Sequence, residues 1–421
     1  MTGQGTYRII FWRLMPVLMF CYILNYLDRS NIGLAKLAFM HDLGMPEAAY
    51  GLAGGAFYLG YVSLGVPINV ALGRVGARAA LLIIMLAWGL LSSALAFIAT
   101  PLHFYVLRFF IGVAETGFLP AVLLYLSRWV PQSQRARFNG IFLSAIAIAG
   151  LIGGPLGGYI LSLPNGVWGL KGWQMLFLIE GLPSSIMGVA VYFYLKDRPE
   201  DAAWLTPAQK SQIASELAAA PANGHAPHAS LWPALRDRRF LSLVAIAVAG
   251  SIGTSGIGLW LPTIIRETGI ADVMVIGLMS AIPYAAAILI QFLNARHSDR
   301  TGERRWHAAG PLMIAAVGWC VMPFISHSPW TSIAVMTLVT CATFSFTGPF
   351  WSMPTAMLSG TAAAGGLGLI TTMLGLGSFI SPVLVGWLSD RTHSLAAGEF
   401  YYAAVLLLGG AILIAGTRRI A

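Results

Sequence analysis

The sequence predicts an all-α membrane protein with twelve transmembrane helices, and three observations carry that prediction. The first is composition. The chain has 421 residues, of which 57% are hydrophobic and only 10% charged, whereas a soluble domain carries roughly 25% charged residues. The second is the length of the apolar blocks. They recur from one end of the chain to the other in runs of about 20 residues, the length that crosses a bilayer as a helix. The third is their continuity, because barrel strands would alternate apolar and polar positions over about 10 residues. The many Gly and Pro inside these blocks suit membrane helices, where neighbouring helices re-satisfy freed backbone groups.

Taken in order, the spans fall at 13–40, 48–72, 79–99, 103–128, 138–163, 174–195, 239–265, 273–296, 308–325, 330–357, 364–389 and 399–417. The Lys and Arg residues fix an orientation. With the N-terminus inside, only Lys171, Arg266 and Arg391 face outward, and Arg29, Lys36 and Arg108 lie within spans, leaving 19 of the 25 cations on the inner side. That is the asymmetry the positive-inside rule requires, and moving the count by one helix would scramble it. The formal charge of +9 is therefore a matter of topology rather than of nucleic-acid binding. Both termini are expected on the cytoplasmic side.

A polar break divides the spans six and six. It gives an N-terminal bundle over 1–196, a cytoplasmic linker over 197–238 and a C-terminal bundle over 239–421. Inside the linker, Thr206-Pro207 before AQKSQIASEL has the form of a capped short helix, with Thr as N-cap and Pro at the first helical position. The stretch APANGHAPHAS follows as a flexible linker. Its His225 and His228 have no acidic or Cys partners nearby, so no metal site is expected. Cys21, Cys320 and Cys341 all lie in apolar blocks and are read as small buried hydrophobes. The first apolar block is too long for a removable signal peptide and lacks a small-residue cleavage site.

The halves echo one another. GRVGAR (73–78) and SDRTGERR (298–305) occupy equivalent inner loops, and such duplication is expected of carriers built from two repeated halves. Both loops resemble the signature of the major facilitator superfamily, Gly-x-x-x-Asp-Arg-x-Gly-x-Arg. The second copy carries it through Asp299, Arg300, Gly302 and Arg304. The first keeps Arg74, Gly76 and Arg78, but Gly73 stands where the acid belongs, which leaves an inner charge lock in that half without its acid. Longer strings narrow the resemblance to the anion:cation symporter family: NYLDRSNIGLA (25–35), RFFIGVAETGFLPAVLLYLSRWVPQSQRAR (108–137), GWQMLFLIEGLP (172–183), ARHSDRTGERRWH (295–307) and PFWSMPTAMLSGTAAAGG (349–366). The resemblance spans nearly the whole chain. It implies the major facilitator fold, two pseudo-symmetric six-helix bundles, in a bacterial inner membrane. It also implies a monomer that carries a small organic acid, usually with protons, needs no cofactor and is not an enzyme.

Ionisable residues within spans cost about 2.5–3.5 kcal/mol on insertion scales and point to function by default. Asp28 and Arg29 lie in the first span, Arg108 and Glu115 in the fourth. Arg108 and Glu115 are seven residues apart, hence two turns and about 10 Å along one face. A carboxylate entering low dielectric needs a cation, and a guanidinium grips both oxygens in a planar fork. Arg29 is the first choice for that contact. Arg108 is either a second contact or the holder of Glu115. Proton coupling needs an acid whose charge answers to its neighbours, and Glu115 and Asp28 are the candidates. Glu180 in the sixth span has a gating or packing role rather than substrate contact. Lys36 is read as snorkelling outward from the first span, and Asp390-Arg391 as a helix-end cap at the membrane surface.

The resemblance adds Tyr26, Tyr61 and Trp351 as pocket walls, with ordinary helix packing as the alternative for each. In the eleventh span the chain reads ITTMLGLGS (370–378), with Thr371 and Gly375 where relatives carry amides. That loss of polarity favours an aromatic or short-chain anion over a sugar acid. The glycines of GLIGGPLGGYI (150–160) lack the Lys-Ser/Thr of a nucleotide loop, so ATP-driven transport finds no support. The leading expectation is proton-coupled symport of a small carboxylate by alternating access. A sodium-coupled or uncoupled organic anion exchanger, and a transport-dead sensor of an organic acid, are the alternatives.

Overall fold

Prolines accompany three of the interruptions within the membrane spans, while the fifth span is parted at Ser144, with no proline near it. Proline lacks an N–H, and its ring clashes with the carbonyl four residues earlier. The computed structural model describes residues 3–164, 169–218, 237–325, 328–357 and 360–416. In it, three predicted spans are split three or four residues ahead of a proline. The second becomes α2 (Glu47–Ser63) and α3 (Gly65–Val75), before Pro67. The fourth becomes α5 (Pro101–Glu115) and α6 (Phe118–Ser127), parted at Thr116-Gly117 before Pro120. The tenth becomes α14 (Pro329–Ser345) and α15 (Thr347–Met357), before Pro349.

The remaining helices are α1 (Gly3–Leu43), α4 (Ala77–Ala94), α7 (Gln132–Leu143), α8 (Ala145–Ser162), α9 (Gly172–Tyr194), α10 (Pro207–Ala218), α11 (Arg238–Glu267), α12 (Val273–Thr301), α13 (Arg305–Ile325), α16 (Gly360–Thr392) and α17 (Ala396–Gly416). Among the described residues, eleven stretches are long and apolar enough to cross a membrane by length and composition. The broken pair α2–α3 makes the twelfth crossing.

Packing within the two halves follows one plan. In the first half α1 packs on α8 and α9, α4 on α5 and α9, and α2 on α5. In the second half the counterparts repeat it: α11 on α16 and α17, α13 on α14 and α17, and α12 on α14. Among the described residues, the most extensive contacts between the halves are α2 with α16, α8 with α12 and α1 with α11. We call the end of the molecule carrying residues 196–218 the linker end, and the other the far end.

The α8–α12 contact depends on two glycines. A Cβ on Gly154 would overlap the carbonyl oxygen of Gly277, and a Cβ on Gly277 that of Gly154. Backbone against backbone leaves no soft side chain to yield, and overpacking of this kind costs about 1–3 kcal/mol. Gly154→Leu is therefore expected to lower the apparent thermal midpoint of the purified protein by several degrees and to impair transport. Scanning fluorimetry and an uptake assay check this; a midpoint within one degree of the parent's would be the contrary result.

The first part of the polar break is packed against the N-terminal half. Thr206 and Gln209 form a reciprocal capping pair, Gln209 N–H to Thr206 Oγ1 at 3.3 Å and Thr206 N–H to Gln209 Oε1 at 2.9 Å. The helix they start, α10, buries Ile213 against that half. Its Glu216 accepts from the Tyr7 hydroxyl at 2.6 Å, and Gln212 from the Thr6 hydroxyl at 3.0 Å. His225 and His228 lie outside the described residues.

Three readings are corrected: Cys320 is exposed rather than buried, and the other two concern Lys36 and Asp390. Lys36 does not snorkel outward: it is 3% exposed and lies at the far end against the other half. Asp390 does act as a helix cap, but for α2 rather than its own helix. Its two carboxylate oxygens accept from the Glu47 and Ala48 N–H groups at 2.9 and 2.8 Å. The sequence places Asp390 and Glu47 more than 300 residues apart, so only the meeting of the halves brings the pair together.

Candidate functional site

The buried charges of the N-terminal half separate into two groups because adjacent residues on a helix point about 100° apart. Arg29 turns towards α2 and α5. Its Nε donates to Glu115 Oε2 at 2.6 Å; the Glu115 side chain is 0% exposed and that of Arg29 21%. The guanidinium also lies over three rings, Tyr26 at 5.2 Å, Phe57 at 5.2 Å and Tyr61 at 5.1 Å. Cation–π contacts of this kind gain strength when desolvated, and they hold the arginine where one edge remains reachable.

Asp28 turns the other way, towards α4 and α9. Trp88 Nε1 donates to it at 2.8 Å, the Ser92 hydroxyl at 3.0 Å and the Ser184 hydroxyl at 3.2 Å. Both carboxylate oxygens are thus occupied by neutral donors. Asp28 and Arg29, neighbours in sequence, do not share a site.

Arg108 is buried on α5 and stacks on Phe57 at 4.7 Å. No carboxylate lies within ion-pair distance of it among the described residues, so Glu115 is held by Arg29 and not by Arg108. Glu115 ends α5 at the Pro120-induced break, and Thr116 donates to the Tyr61 carbonyl at 2.7 Å. That bond fixes the break against α2, which carries Tyr61 and Phe57.

The other predicted residues are placed as follows. Glu180 on α9 is buried at the junction of α1, α8 and α9, with its Oε1 at 4.0 Å from where a Gly157 Cβ would sit. Trp351 on α15 is half-buried and packs edge-to-face with Phe350 at 5.4 Å. Thr371 on α16 donates to the Leu367 carbonyl at 2.8 Å within its own helix. Nothing in these contacts joins Trp351 or Thr371 to Arg29. Phe57, Trp88, Ser92 and Ser184 were not singled out by sequence. Their types are common in apolar helices, and only the tertiary contacts distinguish them.

At the linker end the two signature loops differ in how they are completed. In the second, Arg304 pairs with Asp299 at 2.5 Å and donates to the Ser298 hydroxyl at 3.0 Å. Gly302 there closes α12 with a left-handed φ of 70°. In the first loop the missing acid comes from elsewhere in the chain. Asp197, beyond α9, pairs with Arg78 Nε at 3.1 Å and accepts from the Arg78 N–H at 3.2 Å, while Arg78 also lies over Tyr192 at 5.0 Å. Arg74 and Arg300 are exposed. The pair is half-exposed, so about 0–1 kcal/mol is expected from it. Arg78→Asp should lower the thermal midpoint slightly, and adding Asp197→Arg should restore it. A double variant no more stable than the single one would mean that the two do not interact.

A helical bundle with twelve crossings in two repeated halves, and ionisable groups buried within its spans, is the architecture of a membrane transporter. Residues 18–382 match the Major Facilitator Superfamily, and the chain belongs to that family. It is 39% identical over 412 residues to a protein of Agrobacterium vitis named for tartrate transport, covering 98% of this chain and 94% of that one. It is 36% identical to a quinolone resistance transporter of Acinetobacter baumannii, covering 96% and 92% of the two chains. Among solved structures, a bacterial homologue of the human lysosomal transporter Spinster superposes with a TM-score of 0.81 at 16% identity. That match covers 96% of each chain. The expectations of a facilitator fold and a transporter rather than an enzyme are met.

Proposed function

We propose that the protein is a proton-coupled symporter of a small carboxylate, with the Arg29–Glu115 pair as the element that exchanges substrate for proton. The observation that carries this reading is the asymmetry of that pair: Glu115 is wholly enclosed while Arg29 keeps an exposed edge. A carboxylate arriving at Arg29 competes with Glu115 for the guanidinium. An enclosed acid that loses its cation is too costly to leave charged, so anion binding draws a proton onto Glu115. Asp28, satisfied by Trp88, Ser92 and Ser184, is the alternative proton site. Arg108 supplies positive potential behind Phe57, and Tyr26 and Tyr61 wall the guanidinium. Trp351 and Thr371 approach the anion from the other half when the cavity closes. Glu180 supports the α1–α8–α9 junction during rocking, and the loop cations Arg74, Arg78, Arg300 and Arg304, with Asp299, act at the linker end.

In this reading the bundles 1–196 and 239–421 rock about the site, with 197–238, both termini and the linker end on the cytoplasmic side of an inner membrane. The relative named for tartrate transport supports a short-chain acid. The relative named for quinolone resistance supports an aromatic acid, since quinolones carry a ring-bound carboxylate.

The test uses purified protein in liposomes, with uptake followed across tartrate, phthalates, hydroxyphenylacetates, short-chain and sugar acids, and a fluoroquinolone. Accumulation of one acid under an inward proton gradient, absent when the gradient is collapsed, is the expected outcome. Uptake that follows a sodium gradient instead would replace the proton reading, and tight binding without movement would favour a sensor.

A further inference from the structure

We propose that Lys36 and Asp390 are positioning residues of the transport cycle, latching the two halves together at the far end by bonds that exist only while the halves touch. Asp390 supplies one part of the latch. The residue before α2 is Pro46, whose side chain has no group to cap a helix. The first N–H groups of α2, on Glu47 and Ala48, instead donate at 2.9 and 2.8 Å to Asp390 at the end of α16, in the other half. Helix starts carry unsatisfied donors and favour negative charge. Here both requirements are met from across the boundary.

Lys36 supplies the second part. Its ammonium sits 2.6 Å from Glu47 Oε2 in its own half and donates to the Thr263 hydroxyl of α11 at 3.1 Å. It also lies over two rings, Tyr50 at 4.7 Å in its own half and Trp260 at 4.2 Å in the other. Half the partners of a buried cation thus belong to the opposing bundle. Two further bonds cross nearby, Arg266 Nη1 to the Leu37 carbonyl at 2.7 Å and the Tyr50 hydroxyl to the Leu259 carbonyl at 2.9 Å.

Glu47 joins the parts, since its backbone meets Asp390 and its carboxylate meets Lys36. Apolar packing between halves fades gradually as they slide, but directional bonds of this kind are lost within an ångström or so. The far end therefore has a definite shut state. Opening hydrates Asp390, Lys36 and the α2 donors together, so the three contacts release as a unit.

Thiol accessibility in the purified full-length protein tests the latch. The reporter is Leu259→Cys, at a side chain 6% exposed between the halves, in a background with the exposed Cys320 and the 8% exposed Cys341 both replaced by Ser. Native Cys21, buried within one half at 1% exposure, reports loosening of the fold itself. With a water-soluble maleimide, Lys36→Met and Asp390→Asn are expected to speed labelling at position 259 by about tenfold or more, the effect of losing a charge-assisted hydrogen bond. Cys21 should stay unlabelled, and Lys36→Arg should label at nearly the parental rate. Should Lys36→Met not yield folded protein, Thr263→Val removes only the cross-half bond and should still accelerate labelling. Unchanged rates at position 259, or Cys21 reacting in step with it, would overturn the proposal.

Discussion

Arg29→Ala is expected to reduce uptake of the transported acid by at least about a hundredfold at subsaturating concentration. Two losses combine. The substrate carboxylate loses a charge-assisted fork, and Glu115 is left buried without its cation. Removing one partner of a buried, hydrogen-bonded charge pair costs about 2–5 kcal/mol, and each 1.4 kcal/mol is about tenfold. Part of that cost falls on the folded protein, so stability should be measured beside transport. Arg29→Lys keeps the charge but not the planar fork or the stacking on Tyr26, Phe57 and Tyr61, and should recover only part of the activity. Initial uptake rates over a range of substrate concentrations check the prediction. An Arg29→Ala protein that transports with a parental KM would remove Arg29 from the site.

Glu115→Gln should show the other large effect, on coupling rather than on binding. Glutamine preserves shape and an acceptor for Arg29 but cannot exchange a proton. In the parent, an inward gradient of one pH unit is worth about 1.4 kcal/mol per proton. With membrane potential clamped at zero, one proton per anion then supports about tenfold accumulation. In Glu115→Gln the accumulation ratio should fall to about one, while exchange of internal for external substrate continues. Binding should change in a related way. Parental affinity should rise as pH falls, because the anion is taken up with a proton, whereas that of Glu115→Gln should be flat over the same range. Gradient-driven accumulation that survives this substitution would move the coupling to Asp28 or Glu180.

Much of this architecture was legible in the chain, for reasons that are local. Hydrophobic length, Gly and Pro content and the sorting of cations act within a window of one helix or one loop, so twelve crossings and their pairing into halves could be counted directly. The intramembrane charges were conspicuous because apolar surroundings make them so. Their partners were not. Arg108 and Glu115 share a helix face seven residues apart, which suggested that they pair, yet Glu115 is taken by Arg29, 86 residues earlier in the chain. The missing acid of the first signature loop is supplied by Asp197, 119 residues from Arg78. Neither choice leaves a trace in spacing, because each depends on how helices rotate against one another.

The sequence by itself determined that the chain crosses a membrane as helices, in two related halves, with two arginines and two carboxylates in its first and fourth crossings. Those properties follow from the cost of burying polar groups, which each segment meets alone. Only the tertiary structure decided that Asp28 faces away from Arg29, that Lys36 is enclosed between the halves, and that Asp390 caps a helix belonging to the other bundle. A buried charge must find its counterpart in three dimensions, and the partner is whichever group the packing of distant helices brings within about 3 Å.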